Sequence, residues 1–174
     1  NNLAIRGAVA QKTGHPQVLV SEIEHSSVQA CLQYLASEGV ETSEIEVGSD
    51  GKIAVKAAAG LCSEDTSLIS VMHANNETGV SQPVSDVAEI ADEYGALVHT
   101  DAAQSVGKIP VDVDELGVDL LTVAGHKCYG PKGVGALYIR DGVELSPVLL
   151  GSGHERGLRP GTENVQSIVA LGEA

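Results

Sequence analysis

The fold is decided in residues 84–101, which read VSDVAEIADEYGALVHTD. In the first part, Val87, Ile90 and Ala91 recur at helical spacing, which predicts a helix over 84–94 with Gly95 as its stop. The next residues are mostly apolar or β-branched and predict a buried strand over 96–100 that ends at Asp101. A helix followed directly by a short buried strand is the repeating unit of a mostly parallel α/β sheet.

The same alternation extends to both ends of the chain. Strands are predicted at 17–23, 67–74, 120–124 and 135–140, with a weaker one ending near Val47. Helices are predicted at 3–11, 26–37 and 53–61, and from Thr162 onward. The sequence therefore predicts three α/β/α layers within one incomplete domain, residues 1–174. Ligands of such sheets sit beyond the carboxyl ends of the strands, where we expect these polar residues to converge: Asn76, Asp101, Gln104, His126 and Lys127.

Composition excludes several classes of function. The formal net charge of −14 disfavours binding to nucleic acid or to an anionic membrane, because both need a basic face. No apolar run reaches the ~20 residues that span a bilayer. The three cysteines are widely spaced, which favours a reduced, cytoplasmic setting. The six histidines show no paired metal-ligand spacing, so no metal site is predicted.

Two residues carry chemistry by their position alone, and each has a structural alternative. Lys127 directly follows a buried strand, where a partly desolvated amine can form a Schiff base with an aldehyde. The alternative is a surface lysine that caps a loop. Asp101 also ends a buried strand, where its carboxylate needs a cationic or multiply hydrogen-bonded partner. The alternative is a helix cap ahead of residues 102–104.

Four ordered motifs resemble the cysteine desulfurase and selenocysteine lyase family, a branch of the class V aminotransferase group. They read MHANNETG at 72–79, VHTDAAQSVGK at 98–108, GHKCYGPKG at 125–133, and GHER with RPGTEN at 153–164. The resemblance runs from end to end of the chain. It implies the large domain of a fold-type I enzyme that depends on pyridoxal 5′-phosphate (PLP).

The resemblance also implies roles for individual residues. Lys127 would bind the cofactor covalently and later move the substrate's α-proton, and Asp101 would pair with the pyridine nitrogen. Gln104 and Asn76 would hydrogen-bond the phenolic oxygen, and His126 would contact the phosphate. His25 would stack on the ring and act in proton transfer, although a helix-start histidine without a ligand is the alternative. Thr162 would reach the phosphate of the partner's cofactor in a homodimer.

The implied reaction removes sulfur from L-cysteine, or selenium from L-selenocysteine, and leaves alanine. A separate cysteine thiolate would take the sulfur as a persulfide and pass it to an acceptor protein. Relative to the family, Ala124 stands where a phosphate-binding Ser or Thr is usual, with Thr122 on the same strand face. The phosphate loop, the nucleophilic cysteine and the carboxylate-binding arginine would lie outside 1–174. The rival interpretations are transamination or epimerisation on the same scaffold, and an inactive fragment.

Overall fold

The computed structural model describes all of residues 1–174 and is built on a single six-stranded sheet. The strands are β1 (Gln17–Ser21), β2 (Glu41–Ile45), β3 (Thr66–Ser70), β4 (Leu97–Asp101), β5 (Leu120–Ala124) and β6 (Gly135–Ile139). The helices are α1 (Asn2–Val9), α2 (Ser26–Ser37), α3 (Val55–Leu61), α4 (Val84–Tyr94) and α5 (Val165–Glu173). The strand order is β2-β1-β3-β4-β5-β6, in which only the β5–β6 pair is antiparallel. The predicted mostly parallel α/β fold is confirmed.

The three layers follow from the alternation of side chains along each strand. Leu19 packs on one face of the sheet in a core that includes Ala58 of α3 and Val87 of α4. Its neighbours Val18 and Val20 pack on the other face in a core that α1 and α2 cover. Because both faces of the sheet are covered, consecutive residues of β1 such as Val18, Leu19 and Val20 are all apolar and buried, with no alternation of apolar and polar positions.

Several element bounds differ from the prediction for local reasons. Strand β3 stops at Ser70, four residues before the predicted end, because its pairing with β1 ends there and the backbone N–H of Met72 donates to the side chain of Glu24 instead. The weak second strand ends at Ile45, and Val47 lies beyond it in an isolated bridge with Ile53. The last helix begins at Val165, so Thr162 precedes it, and the side chain of its N-cap Asn164 accepts a hydrogen bond from the backbone N–H of Ser167.

Helix α4 matches its prediction at both ends. It runs from Val84 to Tyr94, and Gly95 closes it with a φ of 63°, the left-handed conformation that glycine adopts without strain. Val87 and Ala91 are buried as expected, whereas Ile90 is only half-buried at the rim of that face. No helix is both long enough and apolar enough to cross a membrane.

Candidate active site

A cavity of about 340 Å³ opens at the carboxyl ends of the parallel strands. Six of the seven predicted site residues line it: His25, Asn76, Asp101, Gln104, His126 and Lys127. They come from the end of β4 and from the segments that follow β1, β3, β4 and β5, so the parallel sheet brings together residues about a hundred positions apart. This is the position at which open α/β sheets bind their ligands.

Thr162 is the seventh predicted residue, and it does not reach this cavity. It is exposed and borders a second hollow of about 840 Å³ that also contacts β6 and α5. The role expected for Thr162 belongs to the cofactor of a partner subunit, so it stays a prediction.

Lys127 lies just past the end of β5, on the short 3-10 helix Gly125–Lys127. Its amine makes no ion pair and no hydrogen bond, and its side chain is exposed. The partial desolvation expected for it is therefore not seen, because the turn carries the lysine beyond the buried part of the strand. Because no protein group pairs with this amine, it is available to react with a ligand in the cavity.

Asp101 is the buried anion of the site, with only 6% of the residue exposed. One carboxylate oxygen accepts a hydrogen bond from the backbone N–H of Ala103 at 2.9 Å, which resembles the capping alternative. The other accepts from the side-chain amide of Asn1 at 2.7 Å. The residues that follow form turns and no α-helix, so the carboxylate is not committed to a helix cap. It is held rigidly on the cavity wall.

A chain of hydrogen bonds links Asp101 to His25. The Asn1 amide donates to Asp101 and also to the Ser27 hydroxyl, each at 2.7 Å, and that hydroxyl lies 2.9 Å from His25 Nδ1. His25 Nδ1 also accepts from the backbone N–H of Ser27 as the N-cap of α2. Because Nδ1 is an acceptor, the proton of the neutral ring lies on Nε2. Capping α2 thus fixes the imidazole of His25.

Local contacts also orient the two amides of the site. The Gln104 Oε1 atom accepts from the Lys108 ammonium at 2.8 Å, so its N–H₂ group is left to donate toward the cavity. Asn76 is exposed in the turn after β3. That turn is shaped by the buried side chain of Asn75, whose Oδ1 accepts from the backbone N–H groups of Glu77 and Thr78.

Sequence reasoning missed several residues that the structure brings to the site. Asn1 and Ser27 line the cavity, as does Thr122, which the sequence had placed on the strand face of Ala124, and Glu24 lies buried next to His25. The Glu24 carboxylate accepts from the Ser21 hydroxyl and from the backbone N–H of Met72, while its Oε2 atom has no partner. Burial raises the pKa of Glu24 to about 7. The one available signal for Glu24 was its position as a charged residue just after the buried strand β1.

The free cysteines do not line the cavity. Cys31 is buried on the core face of α2, as expected, and Cys128 is buried beneath the turn that carries Lys127. Cys62 is half-buried at the end of α3. Burial raises the pKa of both Cys31 and Cys62, which keeps these thiols protonated and unreactive.

Curated relatives match the chain over its whole length. It is 46% identical over 175 residues to a protein named cysteine desulfurase IscS from Dictyoglomus turgidum, covering 100% of the chain and 44% of that relative. It is 48% identical over 177 residues to cysteine desulfurase IscS 1 from Archaeoglobus fulgidus, covering 100% of the chain and 46% of that relative. The chain therefore spans a little under half the length of the curated relatives it matches.

Solved structures share the fold. One titled SspA in complex with cysteine superimposes with a TM-score of 0.94 at 40% identity, covering 99% of the chain and 50% of that structure. A NifS-like protein gives a TM-score of 0.94 at 39% identity, covering 99% of the chain and 48% of that structure. The family model described as aminotransferase class-V matches residues 1–174. The chain belongs to the aminotransferase class-V family.

Proposed function

We propose that this chain is the cofactor-binding part of a PLP-dependent cysteine desulfurase, which removes sulfur from L-cysteine and leaves L-alanine. The observation that carries the proposal is the meeting of a free amine, Lys127, with a buried carboxylate, Asp101, in one cavity whose rim holds His25. The relatives named cysteine desulfurase and the neighbour titled as a complex with cysteine support this substrate over other amino acids.

The residues present fit PLP by the chemistry of their donors and acceptors. Lys127 is a primary amine for the aldehyde, and Asp101 is an anion for a protonated pyridine nitrogen. A carboxylate that is only 6% exposed accepts two hydrogen bonds from neutral groups and makes no ion pair with a side chain, and that nitrogen would supply a cationic partner. The free N–H₂ group of Gln104 is a donor for the phenolic oxygen.

When bound, PLP supplies an electron sink that stabilises negative charge at the α-carbon of the substrate. Asp101 would keep that sink effective by holding the ring nitrogen protonated. Lys127 Nζ would take the α-proton of the substrate. His25, held through Nδ1 by the start of α2, would present Nε2–H to the reacting side of the cavity. His126 and Asn76 would complete the binding of the cofactor's oxygens.

Sulfur removal also requires a thiolate to attack the substrate sulfur, and no cysteine lines the cavity. We assign that role to none of Cys31, Cys62 and Cys128. The same proposal includes a cytoplasmic homodimer in which Thr162 reaches the partner's cofactor. It also includes a sulfur-acceptor protein for iron–sulfur cluster assembly, and selenocysteine as a second substrate.

The test is to map where PLP binds in the full-length protein. After incubation with PLP and reduction with borohydride, mass spectrometry should find one pyridoxyl group, attached to Lys127. Lys127→Ala should abolish it, whereas Lys132→Ala, which removes an exposed lysine on the same glycine-rich turn, should leave it unchanged. Labelling spread over several lysines would contradict the proposal.

The reaction is tested separately from cofactor binding. With L-cysteine and a reductant, the full-length protein should release alanine and sulfide in equal amounts. PLP bound at Lys127 without alanine formation would favour transamination or epimerisation on the same scaffold.

A further inference from the structure

A line of three polar side chains crosses the sheet beneath the cavity. Ser70 on β3, His99 on β4 and Thr122 on β5 are joined by two hydrogen bonds, with Ser70 Oγ 2.8 Å from His99 Nδ1 and His99 Nε2 2.9 Å from Thr122 Oγ1. Ser70 and His99 have no solvent exposure, whereas Thr122 is half-buried and lines the cavity. We call these three residues the strand relay. None of them has a role in the reaction described above.

The direction of the relay follows from the partners of Ser70. Its hydroxyl makes no side-chain or backbone hydrogen bond other than the one to His99. A fully buried hydroxyl that only accepted would leave its own proton unpaired, which costs about 1–3 kcal/mol, whereas an unused lone pair costs less. Ser70 therefore donates to His99 Nδ1.

The orientation of His99 and Thr122 follows from that first bond. Because Nδ1 of the neutral ring is an acceptor, the ring proton lies on Nε2 and is donated to Thr122 Oγ1. The Thr122 oxygen is thus an acceptor on its protein side, and its own hydroxyl proton has no protein partner. Thr122 borders both the cavity and the second hollow, so this proton is free to bond a ligand in the cavity.

Burial keeps the imidazole of His99 in one protonation state. It lowers the pKa of His99 to about 3, so the ring stays neutral at physiological pH and cannot donate from both nitrogens. Asp101 pairs in register with Thr122 on the next strand, so the relay ends beside the carboxylate of the site.

We propose that Thr122 is a neutral hydrogen-bond donor to the phosphate of the bound cofactor, and that His99 is the positioning residue that fixes its orientation. The inference rests on the proposed function for the identity of the ligand. Thr122 shares the β5 wall of the cavity with Ala124, which has no hydroxyl, and with His126. The Thr122 hydroxyl can donate, from the same wall, the hydrogen bond that the side chain of Ala124 cannot donate. An alternative recipient of the same bond is the carboxylate of the substrate.

The first experiment reads the tautomer of His99 in the full-length protein without cofactor, by nitrogen-15 NMR of the imidazole. The expected result is a neutral ring protonated at Nε2 between pH 6 and 8. A ring protonated at Nδ1 would overturn the relay, since Thr122 would then donate to His99 and have no proton for a ligand. This result does not depend on whether the protein binds PLP.

The second experiment measures the affinity of PLP and of pyridoxal, which lacks the phosphate, from the absorbance of the bound ligand. Thr122→Val should weaken PLP binding about tenfold or more, as expected for a lost hydrogen bond to a charged group, and should leave pyridoxal binding within about twofold. Thr122→Ser, which keeps the hydroxyl, should restore PLP binding. The unfolding midpoint of each variant checks that the sheet is intact.

The outcomes separate the two proposals. Equal loss of affinity for PLP and pyridoxal, or no loss for either, would overturn the phosphate contact while leaving the proposed function in place. If PLP affinity is unchanged but the Michaelis constant for L-cysteine rises in Thr122→Val, the hydroxyl serves the substrate carboxylate and the phosphate assignment is wrong. A wild-type protein that binds neither ligand would overturn the proposed function and this inference together.

Discussion

Replacing Glu24 with glutamine should change how the stability of the protein depends on pH. The Glu24 carboxyl is 8% exposed, and its Oε2 atom is buried without a hydrogen-bond partner. Burial is the main reason that its pKa rises from 4.5 to about 7, and the hydrogen bonds from Ser21 and Met72 offset only part of this rise. An ionised carboxylate is therefore costly at this position, although it lies next to a candidate catalytic histidine.

The sign and the size of the effect follow from linkage. In the unfolded chain Glu24 ionises near pH 4.5, and in the folded chain it ionises only near pH 7. The contribution of Glu24 to stability is fully present below pH 4.5 and is lost as the pH rises through 7. A shift of this size corresponds to about 3 kcal/mol in the free energy of unfolding.

The assay is urea denaturation of the wild type and of Glu24→Gln at intervals from pH 4 to pH 8. The difference in unfolding free energy, variant minus wild type, should rise by about 3 kcal/mol across this range, because glutamine does not ionise. Glu89→Gln is the matched control, since Glu89 is exposed on α4, and its difference should stay flat. A flat difference for Glu24→Gln, or one that falls with pH, would refute the reasoning.

Two further predictions concern the sheet that carries the site. Ile69→Ala removes a fully buried side chain from β3 and should lower the free energy of unfolding by about 2–5 kcal/mol in urea denaturation; a loss below about 1 kcal/mol would mean that the core repacks. Gly135→Ala places a Cβ atom 2.5 Å from the Val123 carbonyl oxygen and should destabilise the β5–β6 pair by about 1–3 kcal/mol. Gly60→Ala in α3, where an added Cβ meets nothing within 4 Å, is its control and should be neutral or stabilising.

The sequence predicted the elements whose signals are local. The helices α2 and α4 and the strand β5 have the predicted bounds, because apolar periodicity and a glycine stop depend only on neighbouring residues. The end of β3 was overestimated, since Val71 and Met72 are apolar and buried although they lie past the strand. Buried apolar residues just past the end of a strand have the same sequence pattern as the strand itself.

The candidate site was predictable where a polar residue lies at or just past the end of a buried strand, as Asp101 and Lys127 do. The supporting network was not, because its partners are far apart in the sequence. Asn1 and Asp101 are separated by 100 positions, and Glu24 and Met72 by 48. Ser70 and His99 each read as an ordinary polar residue within a strand, and only the sheet order makes them neighbours of each other and of Thr122.

The topology explains why the buried polar groups gather at this edge. Strand β1 lies between β2 and β3, and α2, which follows β1, covers one face of the sheet while α4, which follows β3, covers the other. The segments leaving β1 and β3 therefore separate, and this opens a crevice at the point where the strand order reverses.

Two buried side chains hold the separating segments together. Glu24 after β1 accepts from the backbone N–H of Met72 after β3, and Asn75 donates back to the carbonyl of Ile23. These two bonds set the distance between the segment that carries His25 and the turn that carries Asn76. The crevice needs polar cross-links because its backbone groups have left the ladder, and those cross-links in turn fix the residues that face the ligand. The raised pKa of Glu24 is thus the cost of holding the site open in a defined shape.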